Sequence, residues 1–180
     1  FTPTRLFIED TYYSDTTELE ADVLSARIGA YADEKGWMRA RCLRREKGVL
    51  PVPKDGDILE YWKKGGDRVP KIGVRGGFFH PTTSYSLPDA VRVAMRIALA
   101  RDHSAEMMNA VLRDQAVAHW KTGQFYRMIN RMLFDAAEPG ERYQVLQRFY
   151  RLPQKLIDRF YAGQSSLADK GRILAGKPPV

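Results

Sequence analysis

The chain has 180 residues, of which 44% are hydrophobic, 28% charged and 11% aromatic, a composition that excludes disorder and low complexity. Its formal charge of +7, from 29 Lys+Arg against 22 Asp+Glu, points to an anionic partner such as phosphate, nucleic acid or lipid headgroups. Cys42 is the single cysteine, which excludes a disulfide framework, and no apolar run approaches the roughly 18 to 20 residues that cross a bilayer.

Residues 4–13, TRLFIEDTYY, set Leu6, Ile8, Asp10 and Tyr12 on one parity and Phe7, Glu9, Thr11 and Tyr13 on the other. Alternation among β-branched and aromatic residues predicts a strand. Ser14, Asp15 and Thr16 offer capping oxygens before Ala21, Leu24, Ile28 and Tyr31, which recur at helical spacing until Gly36. A helix over 17–35 is expected. Residues 37–53 return to a strand-like pattern, 53–66 with KDGD and KKGGD read as turns, and KIGVR at 71–75 predicts another short strand.

Beyond GGFFHPTTSYSLP the pattern is helical. Ser86 as cap, Pro88 in the first turn and Asp89 three residues after the cap open a helix carrying Val91, Ala94, Met95 and Ala98. Ser104 opens another with Met108, Val111, Leu112 and Gln115, closed or kinked by Gly123. Phe125, Met128, Ile129, Met132 and Leu133 form the next stripe, stopped by Pro139. Two shorter helices carry Leu146, Phe149 and Tyr150, then Leu156, Ile157, Phe160 and Tyr161, with Pro153 between them, and a last one runs over 166–175 to Gly176. The layout is α+β, with a strand-containing part over 1–90 and a helical region over 91–180. No G-x-G-x-x-G follows a strand, so the main cradle for a dinucleotide is missing.

Glu9 and Asp10 are neighbours on the expected strand and therefore point to opposite faces. Glu9 shares its face with Phe7, Thr11 and Tyr13, a setting in which a desolvated carboxyl can serve as an acid. A strand-end acid is nonetheless more often a surface or capping group, and Asp10 and Asp15 are assigned to structural hydrogen bonding. In RGGFFHPTTSYSLP, 75–88, two glycines follow a strand, four hydroxyls (Thr82, Thr83, Ser84, Ser86) can donate, and a helix N-terminus follows. That combination suits a phosphate or other anion as well as an ordinary turn into a helix. His80 beside Pro81 reads as a structural hydrogen-bonder. His103 and His119 have no partners at metal-ligand spacing, so no metal site is expected. Cys42, with Arg41, Arg44 and Arg45 nearby, reads as an inert thiol. Arg127, Arg131, Arg142, Arg148, Arg151, Lys155 and Arg159 are dispersed rather than clustered, which favours a solvated or membrane-facing surface and no nucleic-acid partner. The opening FTPTRLFIED lacks the apolar stretch of a secretory signal, and a cytoplasmic location is expected.

Four stretches taken together carry a resemblance: RLFIEDTYYSD (5–15), REKGVLPVP (45–53), GGFFHPTTSYSLPDAV (76–91) and RFYRLPQKLIDRFYAGQSSLADKGRILAGKPPV (148–180). The chain resembles the bacterial lycopene β-cyclases of carotenoid biosynthesis over essentially its whole length, and corresponds to roughly the C-terminal half of the usual sequence. The N-terminal half with the FAD-binding glycine fingerprint is absent. The resemblance implies part of an FAD-dependent hydroxylase and geranylgeranyl-reductase type of fold. It implies acid-base closure of the ψ-ends of lycopene into β-ionone rings, giving γ- and β-carotene, with lycopene and related ψ-end carotenoids as substrates. A proton adds at C2, the C5=C6 bond attacks the C1 cation and a proton leaves C6, with no net redox change. Reduced FAD, kept reduced by NAD(P)H, is the implied cofactor.

Residue by residue, the resemblance makes Glu9 the general acid of the family's F-x-E-[ED]-T motif, with Asp10 as second choice and Phe7, Tyr12 and Tyr13 as neighbours that stabilise a cation of the substrate. The family's G-G-x-x-H-P-x-T-G-Y-S segment places flavin contacts at Gly76, Gly77, His80, Pro81, Thr82, Thr83, Tyr85 and Ser86. Ser84 stands where a glycine is common, a source of strain if that position needs a positive φ. A hydrocarbon substrate implies peripheral attachment to the inner membrane, with Arg148, Phe149, Tyr150, Leu156, Ile157, Arg159, Phe160 and Tyr161 as the candidate surface. The other readings are a non-catalytic membrane- or protein-binding helical module, or a flavin-dependent reductase or hydroxylase of the same fold.

Overall fold

Eight α-helices and two short 3-10 turns make up the regular structure of the described residues, 4–37 and 41–175 of a computed structural model. Residues 1–3, 38–40 and 176–180 lie outside that description, and with them part of the 37–53 segment and the expected helix stop at Gly176. The chain divides into two compact units, Phe1–Leu50 and Pro51–Val180.

The first unit holds α1 (Ala21–Glu34), which has no buried residue. Gly36 at φ 75° ends it, the Trp37 amide donates to the Ala32 carbonyl at 2.9 Å, and the Trp37 ring meets Tyr31 edge-on at 6.2 Å. Arg27 on α1 holds Asp10 in an ion pair at 3.2 Å. Among the described residues of 4–13 only Arg5 makes a bridge, and 41–50 contain no regular element.

The second unit is built from α2 (Ile58–Lys63), α3 (Leu87–Ala98), α4 (Ala105–Thr122), α5 (Gln124–Ala136), α6 (Arg142–Phe149), α7 (Gln154–Tyr161) and α8 (Leu167–Leu174). Its core joins Ile58 and Trp62 of α2, Phe78, Val93 of α3, and Leu112 and Ala116 of α4, with Ile97, Val117 and Trp120 packed against them. Each large apolar side chain taken out of water here contributes roughly 1.5 to 3 kcal/mol. A second, aromatic cluster joins Tyr126 of α5 to Phe160 of α7 at 5.2 Å and Phe160 to Phe149 of α6 at 4.6 Å. Ser166 and Asp169 form a reciprocal capping box at the start of α8, and Asp169 also takes two bonds from Arg159, 2.7 and 2.6 Å.

The α+β expectation is corrected: the described residues form helices and turns, with no sheet. The 4–13 alternation is there, but a strand persists only where a neighbour takes its N–H and C=O groups, and the described residues provide no such ladder. KIGVR bends into a 3-10 turn, Gly73–Gly76. Gly73 has φ 56°, and Lys71 curls back to donate to the Gly66 carbonyl at 2.8 Å and to that of Trp62. The 53–66 stretch, expected as turns throughout, contains α2. Asp57 caps it by accepting from the amides of Leu59 (2.7 Å) and Glu60 (3.4 Å), and the i, i+4 pair Ile58 and Trp62 buries its face.

Candidate functional site

The Gly76–Ser86 segment runs between the two clusters of the second unit, and its geometry follows from its glycines and its histidine. A Cβ on Gly76 would lie 2.7 Å from the Phe78 ring and 2.8 Å from the Lys71 carbonyl oxygen, so this glycine answers to the chain's own packing. Gly77 caps the 3-10 turn at φ 76°. His80 is 2% exposed. Its Nδ1 accepts from the amides of Thr82 (3.2 Å) and Thr83 (3.3 Å), Tyr126 and Phe160 flank its ring at 4.3 and 4.8 Å, and Nε2 has no hydrogen-bond partner. Burial, seconded by His119, pushes its pKa down to about 3, so the ring is neutral at physiological pH.

Three hydroxyls of the segment are engaged internally. Thr82 Oγ1 donates to the Tyr126 carbonyl at 3.4 Å, Thr83 Oγ1 accepts from the Tyr85 amide at 3.2 Å, and Ser84 Oγ donates to the Pro51 carbonyl. Ser84 is the one non-glycine residue with positive φ, 56°, among the described residues, so its position does require the left-handed region. Tyr85 is exposed. Ser86 precedes α3 but makes no side-chain cap bond. His80 Nδ1, Thr82 Oγ1 and Thr83 Oγ1 thus each make a bond within the chain. What the segment leaves open is Tyr85 and the first backbone N–H groups of α3, with the carboxylate of Asp89 buried behind them against Arg92 (2.8 Å) and His119 (3.5 Å).

The same segment builds one wall of a cavity of about 360 Å³. Pro51, Pro53, Phe79, Pro81, Trp120 and Arg127 contribute most of its character, and its size lies at the small end of the roughly 300 to 1,000 Å³ of ligand pockets. Asn130 on α5 ties the wall together: it is fully buried, and Nδ2 donates to the Pro53 carbonyl at 2.8 Å and the Pro81 carbonyl at 2.9 Å. Arg127 stacks 3.8 Å above the Trp120 ring and donates to the Trp120 carbonyl at 2.7 Å. Burial lowers its pKa from the ordinary arginine value, with Asp55 opposing. The accessible wall is mostly apolar, although Asp55, Asp57, Glu60 and Lys64 also line it, and a space of this size suits one ring or branched end.

In the first unit Glu9 is exposed and accepts from the Thr11 hydroxyl at 2.8 Å, whereas Asp10 is half-buried and engaged by Arg27. Phe7 and Tyr12 are 59% and 42% exposed, and Tyr13 is half-buried. Of the residues considered for a membrane surface, Leu156, Ile157 and Phe160 are core. Among the described residues no helix is long and apolar enough to cross a membrane, and no group of three His, Cys, Asp or Glu side chains converges as metal ligands do. Trp120 and Arg127 line the cavity and Asn130 braces its wall; the sequence reading passed over Asn130 and Trp120 and set Arg127 on a solvated or membrane-facing surface, whereas it is buried. The signal available was an uncharged polar residue, Asn130, between Ile129 and Met132 of the apolar stripe, on a segment whose other polar residues are Arg127 and Arg131.

The family model described as lycopene cyclase protein matches residues 1–180. The chain belongs to the lycopene cyclase family. It is 45% identical over its whole length to the lycopene beta-cyclase of Paracoccus sp. (strain N81106 / MBIC 01143), covering 47% of that protein. It is also 45% identical over 97% of its length to the lycopene beta-cyclase of Pseudescherichia vulneris, covering 45% of it, and 43% identical over 99% to that of Pantoea ananas, covering 46%. The chain thus spans about half the length of the curated relatives it matches. No solved structure matches it significantly.

Proposed function

We propose that this chain works as part of a lycopene β-cyclase that closes the ψ-ends of lycopene into β-ionone rings. The observation that carries the reading is the family match over every residue, with three lycopene beta-cyclases at 43 to 45% identity. Glu9 is the acid. Asp10 is committed to Arg27, while Glu9 accepts from the neutral hydroxyl of Thr11. Protonating an alkene needs an acid shielded from water. Glu9 is exposed, so the shield comes with the substrate: a polyene laid over Phe7 and Tyr12, both exposed, would displace water from around the carboxyl.

Reduced FAD, kept reduced by NAD(P)H, belongs to this reading through the family resemblance. Within 76–86, Tyr85 and Ser86 are the side chains left open to it, and proton delivery is assigned to the protein carboxyl alone. Collection of a hydrocarbon substrate calls for a bilayer surface and peripheral attachment. With the α7 stripe in the core, exposed Tyr143, Tyr150 and Arg151 are the side chains offered to it.

The test joins this chain to the part of the Paracoccus enzyme it does not match, in lycopene-accumulating cells. The joined protein is expected to yield γ- and β-carotene, and Glu9→Gln to abolish the product at unchanged protein level. Wild-type pigment from Glu9→Gln removes Glu9 from the mechanism, and unchanged lycopene from the joined protein removes the cyclase reading.

A further inference from the structure

Helix α3 is apolar on two sides, and only one of them is packed. Val93 is buried in the core and Ile97 packs against it. On the other side Leu87, Val91, Met95 and Leu99 recur every four residues and stand 59, 49, 59 and 80% exposed. Ala90, Ala94 and Ala98, exposed too, form a parallel row of small residues at the same spacing. The helix carries just three charged residues, Asp89, Arg92 and Arg96. Asp89 is buried, and Arg92 donates to it and to the Ala162 carbonyl at 2.6 Å. A helix apolar over so much of its circumference belongs in an interior. Scattered exposed leucines need no explanation, whereas an unbroken row of four large side chains marks a surface that something covers.

The relief of the surface indicates what covers it. A row of large side chains spaced by four, beside a row of alanines spaced by four, is a ridge next to a groove, the pattern that interdigitates with a second packed element. A lipid-facing helix would carry aromatic anchors and a polar face rich in basic residues, whereas α3, LPDAVRVAMRIA, has no aromatic residue and, of its two arginines, Arg92 is engaged by Asp89 and the Ala162 carbonyl. The relatives are about twice as long as this chain while matching all of it, so lycopene cyclases carry about as much sequence again that must pack somewhere. We infer that the Leu87–Val91–Met95–Leu99 row is the seat of that remaining part of the cyclase polypeptide, an apolar protein face laid along α3. The inference rests on the family membership and not on the cyclisation chemistry, so its test reads association and not product.

The 180-residue chain is co-expressed with the tagged part of the Paracoccus enzyme that it does not match, and recovery on the tag is measured. Val91→Glu, and Met95→Gln as a milder change, alter side chains already in solvent, so thermal melting of each should equal that of the unaltered chain. Leu167→Glu, at a side chain 86% exposed on α8, is the control. Expected is co-recovery of the unaltered chain and of Leu167→Glu, with affinity about tenfold or more weaker for Val91→Glu and intermediate for Met95→Gln. Equal recovery of all four overturns the inference, as does no recovery of the unaltered chain. So does a homodimer, seen by sedimentation, that Val91→Glu dissolves, or binding to anionic phospholipid vesicles that the same variant abolishes.

Discussion

Asn130 has 0% exposure, and its amide donates to two proline carbonyls, one of them 77 residues away. Truncation leaves both carbonyls buried without a donor, and each such loss costs roughly 1 to 3 kcal/mol. Asn130→Ala is expected to lower unfolding free energy by about 2 to 4 kcal/mol in urea titrations followed by circular dichroism; a loss below about 1 kcal/mol would show that water replaces the amide. His80 makes the fold pH-sensitive. Its pKa of about 3 in the fold lies below the ordinary 6.5, so the unfolded chain takes up a proton at a pH where the folded chain does not. Its contribution is complete above pH 6.5 and drains away as pH falls toward 3, by up to about 1.4 kcal/mol per pH unit. His80→Asn keeps an acceptor for the Thr82 and Thr83 amides and cannot titrate. It should flatten stability between pH 6.5 and 4.5, and an unchanged slope would place the sensitivity elsewhere. Neither role was legible in the sequence: Asn130 stood outside the predicted stripe, and His80 showed only as a structural hydrogen-bonder, because burial depends on what the rest of the chain brings to it.

At the scale of elements, local signals and packing signals behaved differently. Ser104 does cap α4, accepting from the Met107 amide at 3.3 Å, and Gly123 does close it. On α3 the expected stripe of Val91, Ala94, Met95 and Ala98 is the exposed side, and Val93 is the buried one. On α5 the buried residues are Tyr126, Arg127, Asn130 and Leu133, a face rotated from the Phe125, Met128, Ile129 row. A helix with two apolar faces has one period and two phases, and periodicity cannot choose between them. Helix α2 was missed because six residues are too few to show a period. Its cap was visible as Asp57 two residues after Asp55, within what read as a turn. Asp57→Ala removes the acceptor for two amides and should cost about 1 kcal/mol by thermal melting, with quenching of buried Trp62 lost or gained to match. A melting temperature equal to the unaltered chain's would show that Ile58 and Trp62 hold α2 without its cap.

For the molecule as a whole, burial is distributed unevenly. No described residue of 4–37 or 41–50 is buried, while the second unit carries the whole described core. Residues 41–50 are exposed throughout and include Arg41, Arg44, Arg45 and Lys47. Local opening there requires the loss of little packing, so brief trypsin treatment is expected to cut within 41–50 first and leave a resistant fragment beginning near Pro51. First cuts inside α4 or α5 would show that the second unit is not a stable body.

Read by itself, the sequence determined the family, through motifs that are linear strings, and such helix boundaries as Ser104 and Gly123 about α4, because capping and stop residues act on their own neighbours within a turn. The tertiary structure alone decided that the alternating segments are not strands, since a strand exists only through hydrogen bonds to a partner. It likewise decided which apolar face of α3 and α5 is packed, and that Asn130, Trp120 and Arg127 meet the Pro51–Pro53 stretch around one cavity, because contacts across that much chain depend on the shape of the whole unit and on no local pattern.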